Sequence, residues 1–186
     1  MKKRYPLYFL VLAALVLASC KKNNDINSNR GEDLVLTAGE QQKAEADNRF
    51  TLKLFKELSG SVGNNKNLVA SPLSVSMAVA MTSNGSNGQT LEGIRTAMEF
   101  SGFTEAEINS YYHKLINKLP VLDPLATLQI ANSIWYRKGF EAAAPFLQTN
   151  ESNYDAVVEA LDFNSPSAID KINGWVNDKT NGKIPA

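Results

Sequence analysis

Few side chains in this sequence have the types and spacing that catalysis needs. The single histidine, His113, lies between Tyr112 and Lys114 in an amphipathic stretch, a position typical of a surface residue and not of a general base. Glu105 and Glu107 are two positions apart, so on a helix their carboxylates point to different faces, and Glu105 suits a first helical turn. No Gly-x-Ser-x-Gly elbow is present. The sequence therefore predicts a protein that is not an enzyme.

The composition excludes further classes. One cysteine and one histidine rule out an internal disulfide framework, a multi-cysteine zinc site and a histidine-rich metal site, and no cofactor is expected. Nineteen basic residues against nineteen acidic ones leave no net charge in 186 residues, so no nucleic-acid partner is expected. The glycines between Asn84 and Gly88 indicate a turn, because no Lys-Ser/Thr follows them as in a phosphate-binding loop.

The first twenty residues have the pattern of an export signal. Basic residues 2–4 precede twelve uncharged residues, Leu7 to Ala18, which would rise only about 18 Å as a helix, short of the roughly 30 Å of a bilayer core. They are therefore predicted to be a signal-peptide core and not a membrane-spanning helix. Leu17-Ala18-Ser19-Cys20 resembles the lipobox of bacterial lipoproteins, which implies cleavage before Cys20 and acylation of its thiol and of the new amino terminus. The alternative is an ordinary secretory signal with a chance cysteine.

Three regions follow from this pattern. Residues 1–19 are predicted to be the signal peptide, residues 20–40 the lipidated cysteine with a flexible Asn- and Asp-rich tether, and residues 41–186 the folded body. The position after Cys20 is occupied by Lys21 and not by the aspartate that favours inner-membrane retention in enterobacterial lipoproteins. The expected location is therefore the outer membrane, facing the periplasm or the cell surface, with the membrane as a partner through the lipid anchor.

Hydrophobic periodicity predicts mainly helices in the body. Apolar residues recur every fourth position in 41–59, and a capping box at Thr104 opens a helix that runs to Leu119. Ser71 suits an N-cap and Pro72 a first helical position, so a helix is expected from Pro72 to about Ser83. That helix is apolar on nearly every face, which predicts that it lies in the core and buries the hydroxyls of Ser74 and Ser76.

Two longer strands and a short one are also predicted. Residues 127–136 alternate between apolar and polar, residues 156–161 form a second strand, and Asn67 to Ala70 form the short one. A helix follows Pro145 and another begins at Ser165-Pro166, the latter with Ile169, Trp175 and two further apolar residues on one side. A sheet of so few strands has unpaired edges and is incomplete. The expected class is therefore α+β, with helices packed on an incomplete sheet.

Three blocks of residues resemble the serpin family. The first is Asn67-Leu68-Val69-Ala70-Ser71-Pro72-Leu73-Ser74, continued by Asn87-Gly88-Gln89-Thr90, and the second is Ala131-Asn132-Ser133-Ile134-Trp135-Tyr136. The third is residues 172–184, which contain Trp175, Thr180 and Gly182. Their order and spacing are similar to those of the N-terminal part of a serpin domain.

The resemblance implies a fold and a mechanism. Serpins inhibit serine proteases, and some inhibit cysteine proteases, as suicide substrates: the protease cuts an exposed loop, stays acylated to it, and is carried along while the loop inserts as a strand of the large sheet. Ser71 and Ser74 match buried hydroxyls beneath the point where that sheet opens, and Asn132 matches a position on a sheet strand. The helix of residues 165–181 matches one that crosses the sheet and must yield during insertion.

The chain departs from the family pattern in one respect. The cleavable loop lies in the C-terminal half of serpins, so residues 1–186 are expected to be a truncated N-terminal portion that lacks the reactive-centre loop and is inactive alone. The alternative function is a non-inhibitory surface or periplasmic binding lipoprotein with a serpin-like fold.

Overall fold

The computed structural model describes residue 31, residues 33–62 and residues 66–185. The predicted signal peptide, Cys20 and the other residues up to 30 lie outside the described residues. Mixed helix and sheet in the described part confirms the predicted α+β class.

Helices dominate the described part of the chain. They are α1 (Ala38–Ser61), α2 (Pro72–Ser83), α3 (Gly88–Ala97), α4 (Glu105–Lys118), α5 (Ala144–Tyr154) and α6 (Pro166–Lys179), with a 3-10 turn at Leu119–Val121. The strands are β1 (Ser133–Arg137) and β2 (Val157–Leu161).

Helix α1 begins earlier than the periodicity predicts. The Thr37 hydroxyl accepts from the backbone N–H of Glu40, while the Glu40 carboxylate accepts from that of Thr37, which is a capping box. Before it, Leu34 and Leu36 pack against the core. The predicted flexible tether to residue 40 is therefore wrong at its C-terminal end, because this apolar pair and the cap order the chain.

Helix α2 has the predicted bounds and lies in the core. Ser71 is its N-cap, Pro72 is its first residue, and Ser76, Met77 and Met81 are among its buried residues. Around it, the core takes side chains from α1, α4, α5 and the segment after α3: Phe50, Met77, Ala80, Met81, Met98, Phe100, Ile108, Tyr111, Tyr112, Leu115, Ile116, Tyr154 and Ala156.

The two strands pair in parallel and α5 connects them. The register runs from Ser133 opposite Val157 to Arg137 opposite Leu161. Before β2, Asp155 has a left-handed φ of 48°, which ends α5 and turns the chain. The strand predicted from residue 127 therefore begins six residues later, at Ser133. In the described part of the chain, no other strand lies beside the residues before Ser133.

The short strand predicted at Asn67 to Ala70 is also wrong. These residues have no regular structure and no ladder partner among the described residues. Extended residues form a strand only when another strand satisfies their backbone groups.

Helix α6 buries little of its surface against the described residues. Ala168 is the one residue of this helix that they bury, and Ile169, on the predicted apolar side, is 64% exposed. Its neighbours on the predicted apolar side are half-buried. None of the helices in the described part of the chain is both long and apolar enough to span a membrane.

Candidate functional site

A cleft separates α2 from the start of β1 and the C-terminal half of α6. Its volume is about 440 Å³. The lining side chains come from three places: Ser71, Leu73, Ser74, Met77, Ala78 and Met81 on the first side, residues 128–133 on the second, and Trp175, Val176, Lys179 and Thr180 on the third. The three blocks singled out in the sequence thus meet at one cleft.

The two serines at the start of α2 bond to each other. Their hydroxyl oxygens are 2.8 Å apart, and Ser71 also accepts from the backbone N–H of Ser74 at 3.4 Å. Both serines are exposed to the cleft, whereas Ser76 is buried. The prediction that Ser74 is buried is therefore wrong for the described residues, because nothing among them covers this side of the cleft.

Asn132 fixes the start of the sheet. Its side-chain amide donates to the carbonyl of Tyr154 at 2.9 Å, and its own carbonyl accepts from the N–H of Val157 at 3.0 Å. One residue thereby joins the beginning of β1 to the end of α5 and the beginning of β2.

Trp175 holds α6 over the sheet. Its ring meets that of Trp135 on β1 edge to face, with centroids 6.1 Å apart. The indole Nε1 is buried and has no hydrogen-bond partner among the described residues. The ring contact therefore joins α6 to β1 through apolar surface.

The chain leaves α6 through a left-handed turn. Asn181 and Gly182 have φ of 51° and 72°, and the Gly182 N–H donates to the carbonyl of Asn177 at 2.8 Å. The Thr180 hydroxyl donates to Val176 and accepts from the N–H that follows the turn. Gly182 and Thr180 thus serve the helix end, as their spacing indicates.

Asn67 and Pro72 lie apart from this cleft. Asn67 is exposed, and Pro72 serves as the first residue of α2. His113 is exposed, and Glu107 caps α4. Among the described residues, no group of three or more His, Cys, Asp or Glu side chains could hold a metal ion.

Comparison with known proteins decides the family. Residues 45–186 match the family described as serpin (serine protease inhibitor). The chain belongs to the serpin family. The resemblance read from the three blocks is thereby confirmed, and the described part has the architecture of the N-terminal portion of a serpin domain.

Relatives of this serpin chain span wide evolutionary distances. It is 30% identical over 155 residues to an uncharacterized serpin-like protein of Thermococcus kodakarensis, covering 82% of this chain and 35% of that protein. It is 32% identical over 149 residues to the leukocyte elastase inhibitor of Bos taurus, covering 78% and 38%. The latent thermophilic serpin tengpin superposes with a TM-score of 0.69 at 32% identity, covering 82% of this chain and 40% of tengpin. The chain thus spans somewhat over a third of the length of these relatives.

Sequence reasoning missed a buried ion pair in this serpin. Lys43 on α1 is buried, with its Nζ 2.5 Å from Asp47 and 3.0 Å from the Tyr112 hydroxyl. Burial lowers the pKa of Lys43, and the Asp47 carboxylate opposes that shift. Burial also raises the pKa of Tyr112 far above its usual value. The four-residue spacing of Lys43 and Asp47 was the only available signal, and exposed pairs share it.

A buried amide cluster was missed as well. The side chain of Asn84 bonds to those of Asn109 and Asn150 at 2.9–3.1 Å, and the Tyr154 hydroxyl donates to Asn109 at 2.7 Å. The cluster connects the end of α2 to α4 and α5. Through the carbonyl of Tyr154 it continues to Asn132, at the edge of the cleft.

Proposed function

We propose that this chain is part of a serpin that inhibits serine proteases as a suicide substrate and is anchored to the outer membrane through lipid on Cys20. Cysteine proteases are a second target class. The protein is consumed by the reaction and does not turn over a substrate, so it is not an enzyme.

The observation that carries the inhibitory role is the position of α6 over the sheet. In the family mechanism, the cleaved loop becomes a new strand of the large sheet, and the helix that crosses this sheet must yield. Here Trp175 of α6 rests on Trp135 of β1, and Asn181 donates to Gln129 at 2.6 Å. Any rearrangement of the sheet beneath these contacts moves α6.

In this proposal the cleavable loop lies in the part of the full-length serpin that residues 1–186 do not include. Coverage of 35% and 38% of the two relatives leaves most of their length outside the match. In this proposal residues 1–186 supply the body beneath the opening sheet and trap no protease by themselves.

A covalent adduct tests the inhibitory role. The full-length protein should form an adduct stable to denaturing electrophoresis with a trypsin-like, chymotrypsin-like or elastase-like protease. The same protease with its nucleophilic serine blocked should form none, and residues 21–186 alone should form none with any of them. Cleavage of the full-length protein without an adduct would favour the non-inhibitory binding function, and an adduct with residues 21–186 would contradict the placement of the loop.

Lipid attachment rests on the residues around Cys20. Two or three acyl chains, at about 0.8 kcal/mol per buried methylene, hold a protein stably where one chain would be marginal. Changing Cys20 to Ala should abolish labelling by radioactive palmitate and move the protein from the membrane fraction to the soluble fraction. Changing the neighbouring Ser19 to Ala keeps a small residue and should preserve both. Equal labelling of the Cys20→Ala variant and the wild type would disprove the anchor.

A further inference from the structure

The chain approaches the folded body along α4. A Cβ built on Gly31 would fall 1.4 Å from the carbonyl oxygen of Leu122, so this glycine lies directly against the turn that follows α4. Further on, Lys114 donates to the carbonyl of Val35 at 3.4 Å and to the Glu40 carboxylate at 2.6 Å. The segment therefore runs from the C-terminal end of α4 back along that helix before α1 begins.

The ion pair and the apolar contacts hold this segment in place. The Lys114 ammonium lowers the pKa of Glu40, which indicates a favourable interaction in the folded state. Leu34 and Leu36 pack against the core on the same stretch. The point where the N-terminal segment meets the body is thus fixed at the end of α4.

An apolar turn surrounds that point. We call Val121 and Leu125, on either side of Leu122, the turn patch; they are 48% and 81% exposed. The backbone N–H of Leu125 donates to the Asp123 carboxylate at 2.8 Å, and Ala126 donates to the Asp123 carbonyl at 3.1 Å. These bonds form a tight turn that presents Leu125 outward.

The chain length between Cys20 and Gly31 limits how far the turn patch can be from the lipid. Eleven residues reach at most about 40 Å when fully extended, and the flexible tether predicted from the sequence would average roughly 20 Å over that length. The folded part of this chain, about 150 residues, is roughly 40 Å across, and a serpin of its relatives' length is larger. The end of α4 is therefore closer to the membrane than the opposite side of the body.

We propose that the turn patch contacts the surface of the bilayer that holds Cys20, so that this serpin stands on the C-terminal end of α4. The proposal rests on the lipid anchor proposed above. Exposed Leu and Val side chains gain free energy when they enter the boundary between headgroups and acyl chains, and the tether supplies the proximity. The opposite side of the described body then faces away from the membrane.

Fluorescence quenching by lipid-borne nitroxides tests this orientation. Cys20 is the one cysteine of residues 1–186, and in the lipidated protein it is in thioether linkage. With any cysteine beyond residue 186 of the full-length protein replaced by serine, a cysteine introduced by Leu125→Cys can be labelled alone with an environment-sensitive dye. The matched control is Gln89→Cys, on the exposed first turn of α3. Arg95, later on α3, bonds to Glu105 at the start of α4, so α3 adjoins the other end of α4. Both proteins are placed in phosphatidylethanolamine–phosphatidylglycerol vesicles that contain headgroup-region nitroxide lipid.

The dye at position 125 should lose about half of its fluorescence, since interfacial side chains enter about 5–10 Å into the boundary, and the dye at position 89 should lose little. Inserting twenty Gly and Ser residues after Asn24 should reduce the quenching at position 125, because the average span of the tether rises to roughly 30 Å. Mass analysis of the N-terminal peptide reports acylation separately. Acylated protein with equal quenching at both positions would overturn the orientation alone, whereas protein without acyl chains would overturn the anchor and the orientation together.

Discussion

Replacing Asp47 by alanine should lower the free energy of unfolding of this serpin by about 3–5 kcal/mol, because it leaves a buried ammonium without its counter-charge. Lys43 is 2% exposed and lies 4.4–5.1 Å from the ring centres of Phe100, Tyr111 and Tyr112. These ring faces attract a cation but do not replace a carboxylate at 2.5 Å. Urea unfolding of the intact protein, followed by circular dichroism at pH 7, measures the loss.

The matched control removes both charges. A Lys43→Met, Asp47→Ala double variant should recover part of the lost stability, because a buried pair can often be replaced by apolar groups at little cost. Recovery should be incomplete, because the buried Tyr112 hydroxyl donates to Asp47 at 3.0 Å and loses that acceptor. A single Asp47→Ala variant within 1 kcal/mol of the wild type would mean that water reaches the Lys43 ammonium.

The stability lost in the Asp47→Ala variant should become smaller as the pH rises. Burial lowers the pKa of Lys43 in the folded state, and removal of Asp47 removes the interaction that opposes this shift. Between the lowered pKa and the usual lysine value the unfolded chain binds more protons than the folded chain, so stability increases with pH across that interval. The difference between variant and wild type should therefore be smaller at pH 9.5 than at pH 7.

Replacing Asn150 by alanine should cost about 3 kcal/mol, because several buried polar groups lose partners together. Asn150 is fully buried and donates to the carbonyls of Met81 and Phe146 while accepting from Asn84. The Met81 carbonyl is at the end of α2, where the N–H of Gly85 donates to Thr82 instead. Alanine would therefore leave a helix-end carbonyl unpaired in the core, as urea unfolding would report.

Asn153 provides the control on the same helix. It is half-buried, and its amide donates to the carbonyl of Thr149 and to the adjacent Ser152. Its replacement by alanine should cost less than about 1 kcal/mol, since water can satisfy the exposed groups. Equal losses for the two variants would show that the amide cluster adds nothing beyond an ordinary surface hydrogen bond.

Local signals in the sequence predicted the elements whose ends are determined by neighbouring residues. The Ser71 cap with Pro72 defines α2, and the Thr104 capping box defines α4, so both helices begin where they are predicted. Even the missed start of α1 has a local cause, the Thr37 capping box.

Features that depend on distant partners could not be predicted in this way. The alternation from residue 127 is typical of a strand, but only its second half meets a neighbour. Ser74 and Ser76 have the same chemistry two positions apart, and only the packing of α2 decides that one is exposed and the other buried. The amide cluster joins residues up to 66 positions apart, so no spacing in the sequence indicates it.

The parallel pairing of β1 with β2 also has a consequence for the order of assembly. Each ladder partner lies 24 positions from the other, from Ser133 to Val157, and α5 shortens the connection. The entropy cost of closing a loop grows only slowly with its length, so a connection of this size costs little more than a shorter one. In a chain that emerges N-terminus first, every residue of this pair is present as soon as Leu161 is available. Two strands alone are marginally stable, so the pair depends on the helices that emerge before it for its early support.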